Sequence, residues 1–168
     1  MRSTVNGGPE KRRREPPAPR PRLPHRAIFV DVENTSNENT LLPALAALNI
    51  DFAAQPTQLH AVGNWQSVGQ GLGVRLARMG AQLLHTAPAS GVKDWSDLWI
   101  AVAVGRWLAK AVPGDTLEIV SDDRAFDAVG DVAAALGITF RRVLTSRRPS
   151  AEGSGGTSVL GSNRTVRR

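Results

Sequence analysis

The sequence contains no cysteine, which excludes disulfide bridges and zinc sites built on thiolates. It also has no apolar run near the roughly 20 residues that a membrane-spanning helix needs. The basic amino terminus is not followed by the apolar core of a signal peptide. We therefore expect a soluble, cytoplasmic protein that has no membrane partner.

Charge is distributed unevenly along the 168 residues. Residues 1–26 have a net charge of +6, residues 27–140 of −6 and residues 141–168 of +6. The Pro/Arg-rich segment 1–26 and the Ser/Gly/Arg-rich segment 145–168 have too few apolar side chains for a core, so we predict two disordered arms around one domain at 27–144. Basic arms on an acidic body indicate a polyanionic partner, and RNA is the one we expect. The alternative for the amino-terminal arm is a leader that only keeps the chain in solution.

Short apolar runs alternate with helical patterns between residues 27 and 144. Two of the runs, Ala27–Val30 and Leu117–Val120, are unbroken, which is typical of strands covered on both faces of a parallel sheet. Strands that alternate with helices form right-handed βαβ units. The pattern therefore predicts an α/β fold with a central parallel sheet of about five strands.

Asp31 follows the first of these buried strands directly. In open α/β sheets the functional crevice lies beyond the carboxyl ends of the strands, where the order of connection reverses. Asp123 follows the strand at Leu117–Val120, so it should lie beside Asp31 if the two strands are neighbours. An acid at either position is poorly placed for packing and well placed for chemistry.

Asp97 opens a helix that we predict from about Trp95 to Ala111. It shares a helical face with Ala101, Val104 and Leu108, and that apolar face should pack on the sheet. A carboxylate directed inward is costly unless it is paired or binds a metal. The alternative is an acid that is favoured by the helix dipole in the first turn and needs no site.

The remaining acids extend the predicted cluster. Asp127 follows Asp123 at i+4, although it also aligns with Asp131 on a face that solvent could cover. Glu33 and Asp122 are candidates for residues that support the metal ligands without binding the metal themselves. Three or four carboxylates without cysteine make an all-oxygen site, which suits Mg²⁺ or Mn²⁺.

Three segments carry a resemblance to a known family. The segments 29–34, 93–100 and 121–127 (FVDVEN, KDWSDLWI and SDDRAFD) resemble, in this order, the signature segments of PIN-like and NYN-type nuclease domains. The resemblance spans about residues 27–144. Two positions depart from it: Ala125 stands where many NYN-type domains have a second acid, and Asp94 stands where an Asn is common.

The resemblance implies a Rossmann-like α/β/α domain with the activity of an Mg²⁺-dependent ribonuclease. It further implies that Asp31, Asp97 and Asp123 form the catalytic metal site, with Asp127 as an additional ligand. The substrate-binding and orienting residues that it implies are Asn34, Lys93, Ser121 and Arg124.

Three functions stay open on the sequence alone. The first is a metal-dependent endoribonuclease, and the second is a catalytically degenerate domain of the same fold that binds RNA or protein. The third is a phosphatase of the aspartyl-phosphate type with Asp31 as nucleophile. Glu33 counts against the third, because its extra methylene displaces the acid/base carboxylate by about 1 Å. Whether the domain forms a homodimer is also open.

The tryptophans have a structural and a functional interpretation. Trp95, Trp99 and Trp107 recur at helical spacing, which indicates core or cover positions. Trp65 lies in a predicted loop and is the better candidate for stacking on a nucleic-acid base.

Overall fold

The structure is a computed structural model that describes residues 22–35, 37–87 and 94–145. Strands and helices alternate along the chain. The strands are β1 (Arg26–Asp31), β2 (Thr57–Gly63), β3 (Gln82–His85), β4 (Thr116–Val120) and β5 (Thr139–Val143). The helices are α1 (Glu38–Ala46), α2 (Gln70–Arg78), α3 (Trp95–Leu108) and α4 (Asp127–Ala135), and a short 3₁₀ helix (Arg124–Phe126) precedes α4.

All five strands are parallel and form one sheet in the order β3-β2-β1-β4-β5. The chain moves outward from β1 through β2 to β3, then crosses back through α3 to β4 on the other side of β1. The order of connection therefore reverses between β1 and β4, which is where ligands bind in sheets of this kind. The predicted α/β/α fold with a parallel sheet is confirmed. None of the helices in the described ranges has the length and apolar character of a membrane span.

The two faces of the sheet carry separate cores, as a three-layer α/β/α arrangement requires. On one face, α1 and α2 bury their leucines against β1 and β2 (Leu41, Leu45, Leu72 and Leu76). On the other face, α3 and α4 pack on β1 and β4 through Ile100, Val104 and Ala133. Because β1 lies between both cores, residues 27–31 are all buried and the end of β1 is fixed in position.

Glu118 is a buried carboxylate in the middle of β4. Arg26 on β1 donates to one of its oxygens at 2.8 Å, and Arg141 on β5 donates to the other at 2.8 Å. A buried carboxylate without partners would be strongly destabilising, and the two arginines supply those partners. Arg26 also donates to the Leu48 carbonyl, so the cluster around Glu118 is joined to the turn after α1.

The contacts of the domain extend back to Arg22, four residues before β1. Arg22 donates two hydrogen bonds to the buried carboxylate of Asp115, at 2.9 and 3.0 Å. The rest of the two predicted arms, at residues 1–21 and 146–168, lies outside the described residues. The tail leaves the domain at Thr145, whose amide and hydroxyl both donate to the Asp122 side chain at 2.9 Å.

We expect Asp115→Ala to lower the free energy of unfolding by about 2–4 kcal/mol. The substitution removes the partner of Arg22 and the acceptor of the His25 and Val112 amides. Burial opposes ionisation of Asp115, but these donors outweigh it and lower its pKa to about 2, so the stabilisation should be lost only as the pH falls from about 4 towards 2. Urea unfolding measures the effect, with the exposed Asp131→Ala as the control. Equal stability of the two variants would contradict this assignment.

Candidate functional site

Asp31 and Ser121 meet where the order of the strands reverses. Val30 of β1 pairs with Val120 of β4, so the residues that follow these two lie side by side at the carboxyl edge of the sheet. The Ser121 hydroxyl donates to Asp31 Oδ2 at 3.0 Å, and both residues are completely buried. β1 and β4 are therefore neighbours, which was the condition for expecting Asp123 near Asp31.

The turn after β1 folds back onto Asp31. The Asn34 side-chain amide donates to Asp31 Oδ2 at 2.6 Å, and its main-chain amide approaches Oδ1 at 3.4 Å. The Thr35 hydroxyl donates to the Asp31 carbonyl oxygen. The Asp31 carboxylate is therefore held by its own turn and by β4, which fixes its orientation before any ligand arrives.

Asp97 approaches the same point from the first turn of α3. The Asn34 amide that donates to Asp31 also lies 3.4 Å from Asp97 Oδ1, so this one side chain bridges the two carboxyl groups. Asp97 and Asp31 are themselves within hydrogen-bonding reach of each other. The structure thus brings Asp97 to the Asp31–Asn34 turn, although Asp97 lies 63 positions from Asn34 in sequence.

The predicted buried face of α3 was wrong by one position. Ile100 is buried and Ala101 is exposed, so the face that packs on the sheet runs through Ser96, Ile100, Val104 and Leu108. The reason is that this i+4 series places the larger Ile100 in the core. Asp97 lies beside this face rather than on it, and it is only partly buried. The Asp97 carboxyl group, in the first turn of the helix, nevertheless approaches Asn34 at the carboxyl edge of the sheet.

Both carboxyl groups bind a proton more tightly than usual. Burial raises the pKa of Asp31, although the hydrogen bonds from Asn34 and Ser121 favour its charged form. Burial, followed by the charge of Asp31 and the hydrogen bond between the two groups, raises the pKa of Asp97 to about 7. The negative charges of Asp123 and Asp94 add to this effect. The site therefore has an excess of negative charge that a cation would relieve.

Asp123 lies next to this pair and starts the 3₁₀ helix. Its amide donates to the Ser121 hydroxyl at 3.1 Å, and its Oδ1 accepts from the Ala125 amide at 2.8 Å. Ser121 therefore links the main-chain amide of Asp123 to the carboxylate of Asp31. Arg124, the next residue, is exposed to solvent.

Asp127 forms a different set of contacts. Its carboxylate accepts from Arg142 Nε at 2.7 Å, while its side chain remains 52% exposed. The hydrogen bond from Arg142 lowers the pKa of Asp127, opposite to the direction at Asp31 and Asp97. In the structure Asp127 is paired with Arg142 on β5. Its role as a metal ligand stays a prediction. Lys93 lies outside the described residues.

Glu33 joins the ends of three strands and α3. Its Oε1 accepts from the Asn64 amide after β2 at 2.8 Å and from the Thr86 hydroxyl after β3 at 3.4 Å. Its Oε2 accepts from the Ser96 hydroxyl in the first turn of α3 at 3.3 Å. A supporting position was predicted for Glu33, but its contacts with Asn64, Thr86 and Ser96 were not. The available signal was that Asn64 and Thr86 are polar residues directly after strands.

Trp65 is engaged in packing rather than presented for stacking. Its indole Nε1 donates to the Leu84 carbonyl at 3.0 Å, and its ring lies against α2 at Gly73. The interpretation of Trp65 as a base-stacking residue is therefore not supported by its position.

The donors at this edge are of the kind that hard cations prefer. Asp31, Asp97 and Asp123 offer carboxylate oxygens, and cysteine is absent from the chain. Within the described ranges, no three carboxylate or imidazole side chains converge closely enough to form a ready-made metal site. Asp31 and Asp97 approach each other as like charges, which is the arrangement that a divalent cation would neutralise.

We expect the protein in chelator to become less stable as the pH rises from about 4 to about 7. The pKa of Asp97 is raised from 3.8 to about 7 in the folded state, so within this window the folded protein binds a proton that the unfolded chain has lost. The effect should be about 1–2 kcal/mol, reduced because the carboxyl group is partly exposed. Thermal melts between these pH values measure it. Asp97→Asn should flatten the dependence and Asp131→Asn should not, whereas an equal slope in both would exclude Asp97 as its origin.

Comparison of the chain with models of protein families and with curated protein sequences gives no match.

Proposed function

We propose that this protein is a metal-dependent endoribonuclease of the PIN-like and NYN-type kind. The observation that carries the proposal is the pair of carboxyl groups, Asp31 and Asp97, bridged by Asn34 at the point where the strand order reverses. Asp123 stands beside them through Ser121. A pair of acids with raised pKa values at this point of an α/β sheet is typical of a functional site rather than of a packing arrangement.

Asp31, Asp97 and Asp123 are the residues that would hold Mg²⁺ or Mn²⁺, because their carboxylate oxygens are the donors that these ions prefer. A bound divalent cation would supply positive charge for the scissile phosphate and would acidify water. Asn34 and Ser121 orient the Asp31 carboxylate. Asp97 adds a second carboxylate whose pKa is raised by burial and then by the charge of Asp31, so cation binding and proton loss should be linked at this site.

RNA is the proposed substrate, and the charge distribution supports it. An acidic edge repels a polyanion unless a cation intervenes, while the basic arms attract one. Lys93 and Arg124 are the body residues that we expect to contact phosphate. Cleavage within the cytoplasm is part of the same proposal.

The contacts of Glu33 favour a nuclease over a phosphatase. A phosphatase that used Asp31 as nucleophile would need the carboxylate two residues later to face the reacting group. Glu33 instead accepts from Asn64, Thr86 and Ser96, and in these positions it supports α3 and the neighbouring strand ends.

The test is incubation of the purified full chain with a mixed RNA pool in Mg²⁺, in Mn²⁺ and in chelator. We expect internal cleavage in either metal and none in chelator. Tight RNA binding without cleavage in any condition would favour the non-catalytic domain. Neither cleavage nor binding would reject RNA as the substrate.

The arms should contribute affinity, and the tail should contribute more than the amino-terminal arm. Residues 1–21 carry six basic side chains and residues 146–168 carry five. The tail begins at Thr145, which is held by Asp122 beside Asp123, whereas the amino-terminal arm joins β1 at the opposite edge of the sheet. Each lost phosphate contact should reduce the salt slope of RNA binding by about 0.7.

Two truncations measure this difference, one lacking 1–21 and one lacking 146–168. The first stops before Arg22 so that Asp115 keeps its partner. We expect KM to rise more in the second truncation, with little change of kcat in either. An unchanged salt slope in both would mean that neither arm contacts RNA.

A further inference from the structure

Helix α3 exposes an apolar stripe on the side away from the sheet. Leu98 is 60% exposed and Val102 is 66% exposed, with Trp95 at 41%. Together with Trp99 these residues line a shallow depression of about 200 Å³. Large apolar side chains grouped in this way on a soluble surface indicate an interaction site. We name the exposed surface formed by residues 95, 98, 99, 102, 105, 106 and 109 the α3 stripe.

The two halves of the α3 stripe differ in size and charge. The amino-terminal half carries the large apolar residues that line the depression. The carboxyl-terminal half carries Gly105 and Ala109, together with the exposed cation Arg106. A side chain at Gly105 would meet no other atom within 4 Å, so a second helix can approach closely there. Among the described residues, Arg106 has no hydrogen-bond or ion-pair partner.

We propose that the α3 stripe binds a second copy of this chain, with the two α3 helices antiparallel and crossing at Val102. In this arrangement the large half of each helix faces the small half of the other. Trp95 lies opposite the partner's Ala109, and Leu98 lies opposite the partner's Arg106. A surface that complements itself in this way is what a two-fold homodimer requires.

The charges along α3 favour the same arrangement. Asp94 precedes the helix, while Arg106 and Lys110 lie at its other end, and all three are exposed. Antiparallel pairing places the acidic end of each helix near the basic end of the other, within about a Debye length of 8–10 Å. The opposed helix dipoles add to this attraction.

In the proposed dimer, Arg106 of each copy contacts the depression on the other copy. The depression lined by Trp95 and Trp99 lies opposite it on the other copy, so its guanidinium can stack on an indole while its stem covers Leu98. Stacking of a cation on tryptophan is favourable, and Trp and Arg are the residues most enriched at the centres of protein interfaces.

A protein surface fits the stripe better than a nucleic acid does. RNA bases stack on aromatic rings, but Leu98 and Val102, the two most exposed of its large apolar members, have no such ring. The stripe is about 20 Å long, so the interface is small and a micromolar dissociation constant is expected. This proposal does not depend on the nuclease activity.

Sedimentation velocity of the full chain at concentrations up to about 100 μM tests the dimer. Val102→Asp should raise the dissociation constant at least about 30-fold, because it places two charges together at the two-fold axis. Val132→Asp is the matched control, since Val132 is 54% exposed on the neighbouring α4 and outside the stripe. Circular dichroism confirms that each variant is folded.

A cysteine variant tests the geometry independently of affinity. The chain has no cysteine, so Val102→Cys introduces a single thiol at the proposed axis. It should form a disulfide-linked dimer under mild oxidation, and Val132→Cys should not. A chain that stays monomeric, or a dimer that Val102→Asp leaves intact, would overturn the proposal. Monomers whose RNA binding is weakened by Val102→Asp would also overturn it and would assign the stripe to nucleic acid.

Discussion

Asp31→Asn should reduce metal-dependent RNA cleavage about a thousandfold and leave the protein folded. The substitution keeps the size of the side chain and retains an oxygen that can accept from Asn34 and Ser121. It removes the negative charge that the proposed cation requires. Because burial already penalises that charge, the variant in chelator should melt at a higher temperature than the parent protein.

Cleavage rates with saturating Mg²⁺ and melting temperatures in chelator measure the two effects. Asp131→Asn provides the control, since it removes one charge from α4 without contacting the site. A folded Asp31→Asn variant that retains parental cleavage would remove Asp31 from the mechanism. A loss of activity together with a loss of folding would contradict the expected stabilisation.

Asp97→Ala should be as damaging as Asp31→Ala, again by about a thousandfold. In the proposed nuclease both carboxylates would hold the cation and water would be the attacking group, so no phosphoryl group would be transferred to the protein. In a phosphatase Asp31 would itself attack and form an acyl phosphate, and Asp97 would have no defined role. Beryllium fluoride, which imitates that phosphoryl group, should therefore leave turnover unchanged.

The measurements are rates on RNA and on a small phosphomonoester for each variant, with mass spectrometry of trapped protein. Asp127→Asn is an informative comparison, because Asp127 pairs with Arg142 and should affect cleavage less than Asp97 does. A phosphoryl adduct on Asp31, with Asp97→Ala still active on the monoester, would establish the phosphatase instead. Equal losses in Asp127→Asn and Asp97→Ala would restore Asp127 as a metal ligand.

Predictions from sequence succeeded where the signal was local. Asp31 and Ser121 each follow an unbroken apolar run that forms a buried strand, and their position at the edge of the sheet follows from that strand. Asp123, which was expected beside Asp31, caps the 3₁₀ helix two residues further on and reaches Asp31 through Ser121. The end of α4 at Ala135 also has a local cause, because Gly137 follows it with a φ of +71°, a conformation that glycine adopts readily.

Predictions were weaker where a side chain could point in more than one direction. Helical periodicity placed Ala101 in the core and left Ile100 out, since a rotation by one residue changes the hydrophobic pattern very little. Trp65 has the aromatic ring that base stacking requires. In the structure, however, its indole donates to a carbonyl of β3 and its ring packs against α2. Such contacts depend on neighbours that are distant in sequence.

The sequence by itself determined that this chain forms a parallel α/β sheet with acids at the ends of its buried strands, because strand burial and strand ends are written in the local order of residues. The tertiary structure decided which acids meet. Asn34 bridges Asp31 and Asp97 only because α3 crosses back over β1, and Asp127 turns to Arg142 only because β5 lies beside β4. These pairings depend on strand order and register, and no local pattern determines the distance between side chains on different strands.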